Sequence, residues 1–314
     1  MKKYITIISL IMAITIASFA EENRAEEKDA VHLIPLLQYD YLSLDEQEIK
    51  STSAGMIIQS EDLMFVGIYT RHLYQDDLLL NYPDDYHTID TLLDGKHGRH
   101  QYIGIFKSES DKPVSGGLST YQAAAVYGYE LIHGGNLSLV LGGGLALGDF
   151  GIEDSEGDPW PVIPVPLVRM NYNSKFISAK FEFLTGPNFS FTVAPQSKVR
   201  LKGDFRMDNA RDIRDIIFEV ALAWRFFSPE SETGDFAGAA LGFKNDNYGA
   251  FMIGDTDGDE SIESHYYAVF AELDLSLLKI TGGYAFEGRE LYREEIKRDT
   301  GEGYFVSVQG LYQF

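Results

Sequence analysis

Residues 216–227 read Ile-Ile-Phe-Glu-Val-Ala-Leu-Ala-Trp-Arg-Phe-Phe, and their alternation decides the fold. One face carries Ile216, Phe218, Val220, Leu222, Trp224 and Phe226; the other carries Ile217, Glu219, Ala221, Ala223, Arg225 and Phe227. A period of two is the signature of a β-strand, because successive side chains point to opposite sides of the pleat. The first face suits lipid or a dry core, whereas the second mixes charge with small residues. The same period recurs outward along the chain. Ile177, Ala179, Phe181 and Phe183 alternate with Ser178, Lys180 and Glu182, and Leu137, Leu139, Leu141, Leu145 and Leu147 alternate with Asn136, Ser138, Gly142, Gly144 and Ala146. Tyr121, Ala123, Ala125, Tyr127 and Tyr129 alternate with Gln122, Ala124 and Glu130. Several of these segments are as long as a membrane-crossing strand of about 9–11 residues.

Composition narrows the class. The 314 residues include 19 Tyr, 20 Phe and 30 Gly but only 10 Pro, a vocabulary of long antiparallel sheets and membrane barrels. With 26 Lys and Arg against 48 Asp and Glu, the formal charge is −22, which repels a phosphate backbone and excludes nucleic acid as an expected partner. The absence of cysteine excludes disulfides, thiolate metal sites and Cys nucleophiles.

Residues 1–20 read as a secretory signal peptide. Lys2 and Lys3 precede an apolar run over residues 5–19, and small residues at Ser18 and Ala20 set the cleavage after Ala20. Residues 21–30 form an acidic lead expected to be flexible, and residues 31–314 form the barrel. No later stretch reaches the 18 or more apolar residues of a membrane helix.

Counting alternating segments gives about 16 strands; the parity of the links breaks if residues 187–207 hold two strands, so about 12 to 14 stay open as counts. The expected strands include 162–172, 175–184, 190–207 in whole or part, 214–227, 236–243, 248–254, 265–275, 277–287 and 303–314. Outer-membrane barrels keep short turns at the periplasmic end and longer loops outside. With a periplasmic N-terminus, short links are expected at residues 61, 94–98, 133–135, 173, 244–247 and 275–277. Long links are then expected outside at 75–85, 109–117, 149–160, 228–235, 255–263 and 288–302. Tyr and Trp fall near strand ends, as at Tyr129, Tyr172, Trp224, Tyr304 and Tyr312, which fits interfacial girdles.

The last segment places Tyr304, Val306, Val308, Gly310, Tyr312 and Phe314 on one face. A chain ending on an apolar strand with terminal Phe resembles bacterial outer-membrane β-barrel proteins. That resemblance implies that Phe314, with Tyr312, belongs to the signal read by the barrel-assembly machinery, and that outer-membrane lipids surround the wall. Residues 161–207, with Pro161, Pro164 and Pro166, then Asn171-Tyr172 and Gly186-Pro187, also resemble an uncharacterised family of outer-membrane barrel domains, which brings no known reaction with it.

Signatures of chemistry are sparse. No Gly-x-Ser-x-Gly elbow occurs, and His265 is followed by Tyr266, Tyr267 and Ala268, which does not match the outer-membrane phospholipase pattern. The chain is therefore expected to be neither an enzyme nor a cofactor binder. His87, His97 and His100 form the closest His grouping and are read as a polar loop. Asp255, Asp257 and Asp259 are weak calcium candidates, since Gly258 precedes Asp259 and Tyr266 stands where an EF-hand needs Glu. The most informative constellation is electrostatic. Lys198, Arg200, Lys202 and Arg206 share one face with Asp204; by the same parity Arg169, Lys180 and Arg225 point inward, joined by Glu182 and Glu219.

The sequence thus specifies an all-β, closed antiparallel transmembrane β-barrel, acting in porin-like passage of small anionic or zwitterionic solutes or as a structural surface protein. Two alternatives stay open: a soluble secreted β-protein that binds a ligand, and a barrel enzyme. In the first the apolar faces are buried rather than turned outward. The inward cations also have two readings, a selective lumen or interior charges that pair with Glu130, Glu182, Glu219, Glu272 and Asp274 and fill the space.

Overall fold

A computed structural model describes residues 31–75, 83–113, 120–148, 162–184, 186–207, 216–226, 237–252, 261–275, 277–292 and 295–311. Ala20, Tyr312, Phe314 and the three calcium candidates lie outside them. The strands run β1 (His32–Leu44), β2 (Glu48–Gln59), β3 (Leu63–Gln75), β4 (Asp85–His97), β5 (His100–Ser110), β6 (Tyr121–Ile132), β7 (Leu137–Gly148) and β8 (Val162–Asn173). They continue with β9 (Ile177–Phe183), β10 (Pro187–Val193), β11 (Val199–Met207), β12 (Ile216–Arg225), β13 (Ala237–Met252), β14 (Ser261–Leu275), β15 (Leu278–Tyr292) and β16 (Glu295–Leu311). Each pairs antiparallel with its sequence neighbours, and β1 pairs with β16, from Leu36↔Leu311 to Leu44↔Gly303, to close the sheet. Closure gives every strand a partner on both sides over at least part of its length.

The count of 16 agrees with the sequence, but its parts differ. Residues 187–207 hold two strands, β10 and β11, joined by a turn at 194–198 where Ala194 takes φ 54°. Residues 236–254, expected as two strands, are one, so the expected turn at 244–247 lies within β13. The expected loop at 288–302 is mostly strand, since β15 and β16 run to 15 and 17 residues. The corrections cancel in number. They also move the connection 226–236 from the outer end to the short-turn end.

Both chain ends of the barrel, the start of β1 and the finish of β16, lie at the end that carries the tight turns after β2, β4, β6, β8 and β14. Gly98 (φ 60°) and the pair Gly134 (φ 120°) and Gly135 (φ 65°) make two of these turns in the left-handed region that glycine enters without strain. Short turns assign this end to the periplasm.

The apolar faces point outward. Leu241 is 67% exposed and Leu222 57%, whereas inward-facing Val140, Leu42 and Ile49 are wholly buried. Tyr102, Tyr127, Tyr129, Tyr172 and Trp224 ring the periplasmic end of the outer surface; Tyr41, Tyr284 and Tyr304 stand toward the other. A wall that shows apolar side chains outward between two aromatic girdles belongs in a membrane, not in water. That excludes the soluble reading, in which these faces are buried.

Candidate functional site: the inner wall

Strand register builds the inner wall. Register pairs Arg169 with Glu182, Glu182 with Asn188, Asn188 with Arg206, Ser190 with Asp204, and Asp204 with Glu219, so all these side chains share the lumen side. Lys180, Lys202, Arg200 and Arg225 follow from the same alternation. Lys198 departs from expectation: it sits in the turn before β11, at the periplasmic rim, and its carbonyl accepts from the Arg225 N–H at 2.8 Å.

The inward charges divide into two groups. Arg169 is buried, and its Nη1 lies 2.9 Å from Asp94 on β4 and 3.1 Å from Gln101 on β5, while its Nε donates to Glu182 at 2.7 Å. Reaching β4 from β8 requires the wall to curl tightly. Small residues permit it: a Cβ at Gly128 would strike Leu167 and Val140 side chains, and one at Gly142 would fall on the Tyr127 carbonyl. Ile103, Val126, Val140, Val165 and Leu167 fill this curl with a dry cluster. Glu130 is held likewise, by His133 at 2.9 Å, Ser138 at 3.0 Å and Lys96 at 3.4 Å. On this side the charges are interior structure. Asp94 and Gln101, the partners of Arg169, carry no sequence signal, because only the curl brings them near.

The second group is wet. Lys180, Lys202, Asp204, Arg206 and Glu219 face inward yet are exposed. A cavity of about 260 Å³ opens among Lys180, Ser190, Thr192, Lys202, Asp204 and Glu219, on the inner faces of β9–β12, well above what a single water needs. Lys202, Asp204 and Glu219 make no ion pair among the described residues. Asp204 and Glu219 stand directly opposite each other across β11 and β12, an arrangement that costs stability between like charges. Ser190 and Thr192 share the inward parity but are absent from the sequence-based set, which gathered charged residues only.

One further sequence candidate resolves differently. His97 and His100 pair across the β4–β5 turn, but His87 lies near the opposite end of β4, where Nδ1 meets the Tyr69 hydroxyl at 2.7 Å. They form no single cluster, and all three lie on strands rather than in a loop. Gly142 and Gly144 lie inside β7, where an added Cβ would collide with the Tyr127 and Ala125 carbonyls, so they serve close backbone approach.

No protein-family model and no curated protein matches the chain. Among solved structures it is similar to OccAB3 of Acinetobacter baumannii, at 7% identity over 90% of this chain and 99% of that one, TM-score 0.41. It is also similar to OccK5 (OpdH) of Pseudomonas aeruginosa, at 12% identity over 92% and 99%, TM-score 0.34. An outer membrane channel of Pseudomonas putida F1 matches at 10% identity over 93% and 98%, TM-score 0.30. These scores add nothing to an architecture already fixed by strand pairing. The closed wall with its apolar, girdled exterior makes the chain a β-barrel of the bacterial outer membrane.

Proposed function

We propose that the protein is a porin-like channel for small anionic or zwitterionic solutes. One observation carries the reading: exposed Lys180 and Lys202 line a cavity of about 260 Å³ with Asp204 and Glu219, and exposed Arg206 follows on the same face, inside a chain whose overall charge is −22. Charged side chains ringing a pore set which ions enter. Cations here attract a carboxylate, and the juxtaposed acids attract an ammonium, so a solute bearing both gains at either end. In this reading no catalytic step and no cofactor are involved, residues 1–20 direct export, and Phe314 with Tyr312 addresses the assembly machinery that delivers the barrel into outer-membrane lipids.

Osmotic swelling of liposomes holding the purified protein tests the reading. Glycine is expected to enter faster than an uncharged solute of equal size. Replacing both Lys180 and Lys202 by Gln should lower chloride over potassium permeability, and replacing Asp204 by Asn with Glu219 by Gln should raise it. A lumen charge about 4 Å from the ion is worth on the order of 1 kcal/mol in water, roughly a fivefold change. Unchanged selectivity in both double variants contradicts the proposal.

A further inference from the structure

The outer half of the wall does not continue the sixteen-strand cylinder. β9 and β10 have seven residues each. At a rise of about 3.3 Å and a tilt near 40°, they climb roughly 18 Å, short of an apolar band of about 25 Å. Pairing of β8 to β9 stops at Val168↔Phe183, which leaves the outer part of β8, from Val162, without a β9 partner. Pairing of β12 to β13 stops at Glu219↔Lys244. Beyond it the Asn245 side chain replaces the strand ladder: Oδ1 accepts from the Phe218 N–H at 2.6 Å and Nδ2 donates to the Ile216 carbonyl at 2.7 Å.

β13 runs on past that point, shifts register between Asn247 and Ala250, and pairs Met252 with Ser110 of β5 in parallel. In the strand order β5 and β13 lie on opposite sides of the barrel. Their contact therefore closes nine strands, β13–β16 and β1–β5, on themselves at the outer end. The space they enclose is packed. Leu42, Ile49, Tyr74, Tyr86, Tyr266 and Phe305 are buried in one cluster, and Ser264 on β14 donates to Gln47 in the β1–β2 turn at 2.8 Å. Side chains buried this completely leave no water-filled gap at the cluster. On β9–β11 and at Glu219 of β12, by contrast, the inward side chains are exposed or half-buried, while Ile217, Ala221, Ala223 and Arg225 of β12 are buried.

We propose that solute crosses this barrel off its axis, along the inner wall of β9–β12, beside the packed lobe. The proposal rests on the channel reading and adds the route: the cavity between Lys180 and Glu219 lies on it, and the nine-strand lobe does not.

The chain contains no cysteine, so single introduced thiols report without background. The full-length variants Ser190→Cys and Thr192→Cys line the proposed route; Ser53→Cys faces inward from β2 in the packed lobe, where the native hydroxyl meets Thr70 at 2.8 Å. Each is inserted in a planar bilayer and treated with a cationic methanethiosulfonate reagent. The expected result is that treatment cuts single-channel conductance by more than half at position 190 or 192 and leaves position 53 unmodified until the protein is denatured. Block through position 53, with labelling at 190 and 192 that leaves conductance unchanged, overturns the route while keeping the channel. Absence of conductance in the untreated, correctly folded parent overturns the channel reading and the route with it.

Discussion

Arg169 shows what a single inward charge does when the wall curls around it. Its guanidinium joins β8 to β4, β5 and β9 through Asp94, Gln101 and Glu182 in a buried site. Removing one partner of such a network strands the others without compensation, which costs about 3–5 kcal/mol. Arg169→Ala is therefore expected to lower barrel stability by that order, measured as the urea midpoint of unfolding in lipid vesicles, with little change in ion selectivity. Lys202→Ala should do the opposite, because Lys202 is exposed and makes no ion pair among the described residues. Gly142 tests the curl itself. A Cβ there meets the Tyr127 carbonyl, so Gly142→Val forces strand separation at a cost of roughly 1–3 kcal/mol or more, seen as a smaller heat-modifiable fraction on gels. The alternating residues of the inner wall were legible at this scale, since parity alone assigns a face. The partners of Arg169 were not, because a strand pattern is silent on curvature.

At the scale of the strand, alternation was a good guide wherever one face meets lipid and a poor one elsewhere. The β10–β11 reversal was hidden by phase: Phe189, Phe191 and Val193 point outward on one strand, and Val199, Leu201 and Phe205 on the next, all at odd positions. A five-residue turn at 194–198 preserves that parity, so the period passes through the reversal unbroken. β13 misled in the other direction. Its Lys244-Asn245-Asp246-Asn247 run reads as a turn, yet Asn245 bonds to β12 while Lys244 and Asp246 pair at 2.7 Å on the inner side. The outer parts of β15 and β16 similarly carry charges within strand, as in the Arg298–Glu290 pair at 3.2 Å. The lipid face of these strands makes its own prediction. Leu241, the most exposed of the outward leucines, should tolerate polar replacement badly: Leu241→Arg is expected to cost about 2–4 kcal/mol in vesicle unfolding if it sits near the midplane, and less toward an interface.

The whole molecule sets an acidic chain around a locally cationic stretch of inner wall. Such a contrast is readable from sequence once faces are assigned, but which cations stay wet is a property of the closed form. Arg169 was drawn into the packing of β4–β8, whereas Lys180, Lys202 and Arg206 remained exposed beside Asp204 and Glu219. Screening supplies a check at this scale. The Debye length falls from about 10 Å at 0.1 M salt to about 3 Å at 1 M, so chloride preference should weaken steadily over that range. A preference set by pore width alone would not respond to salt. The most direct test is the reversal potential of single channels in a planar bilayer under a potassium chloride gradient. The account predicts small, stepwise conductance with chloride favoured over potassium, despite the net negative charge of the chain. Cation-selective steps, or a heat-modifiable barrel that never conducts, would contradict it.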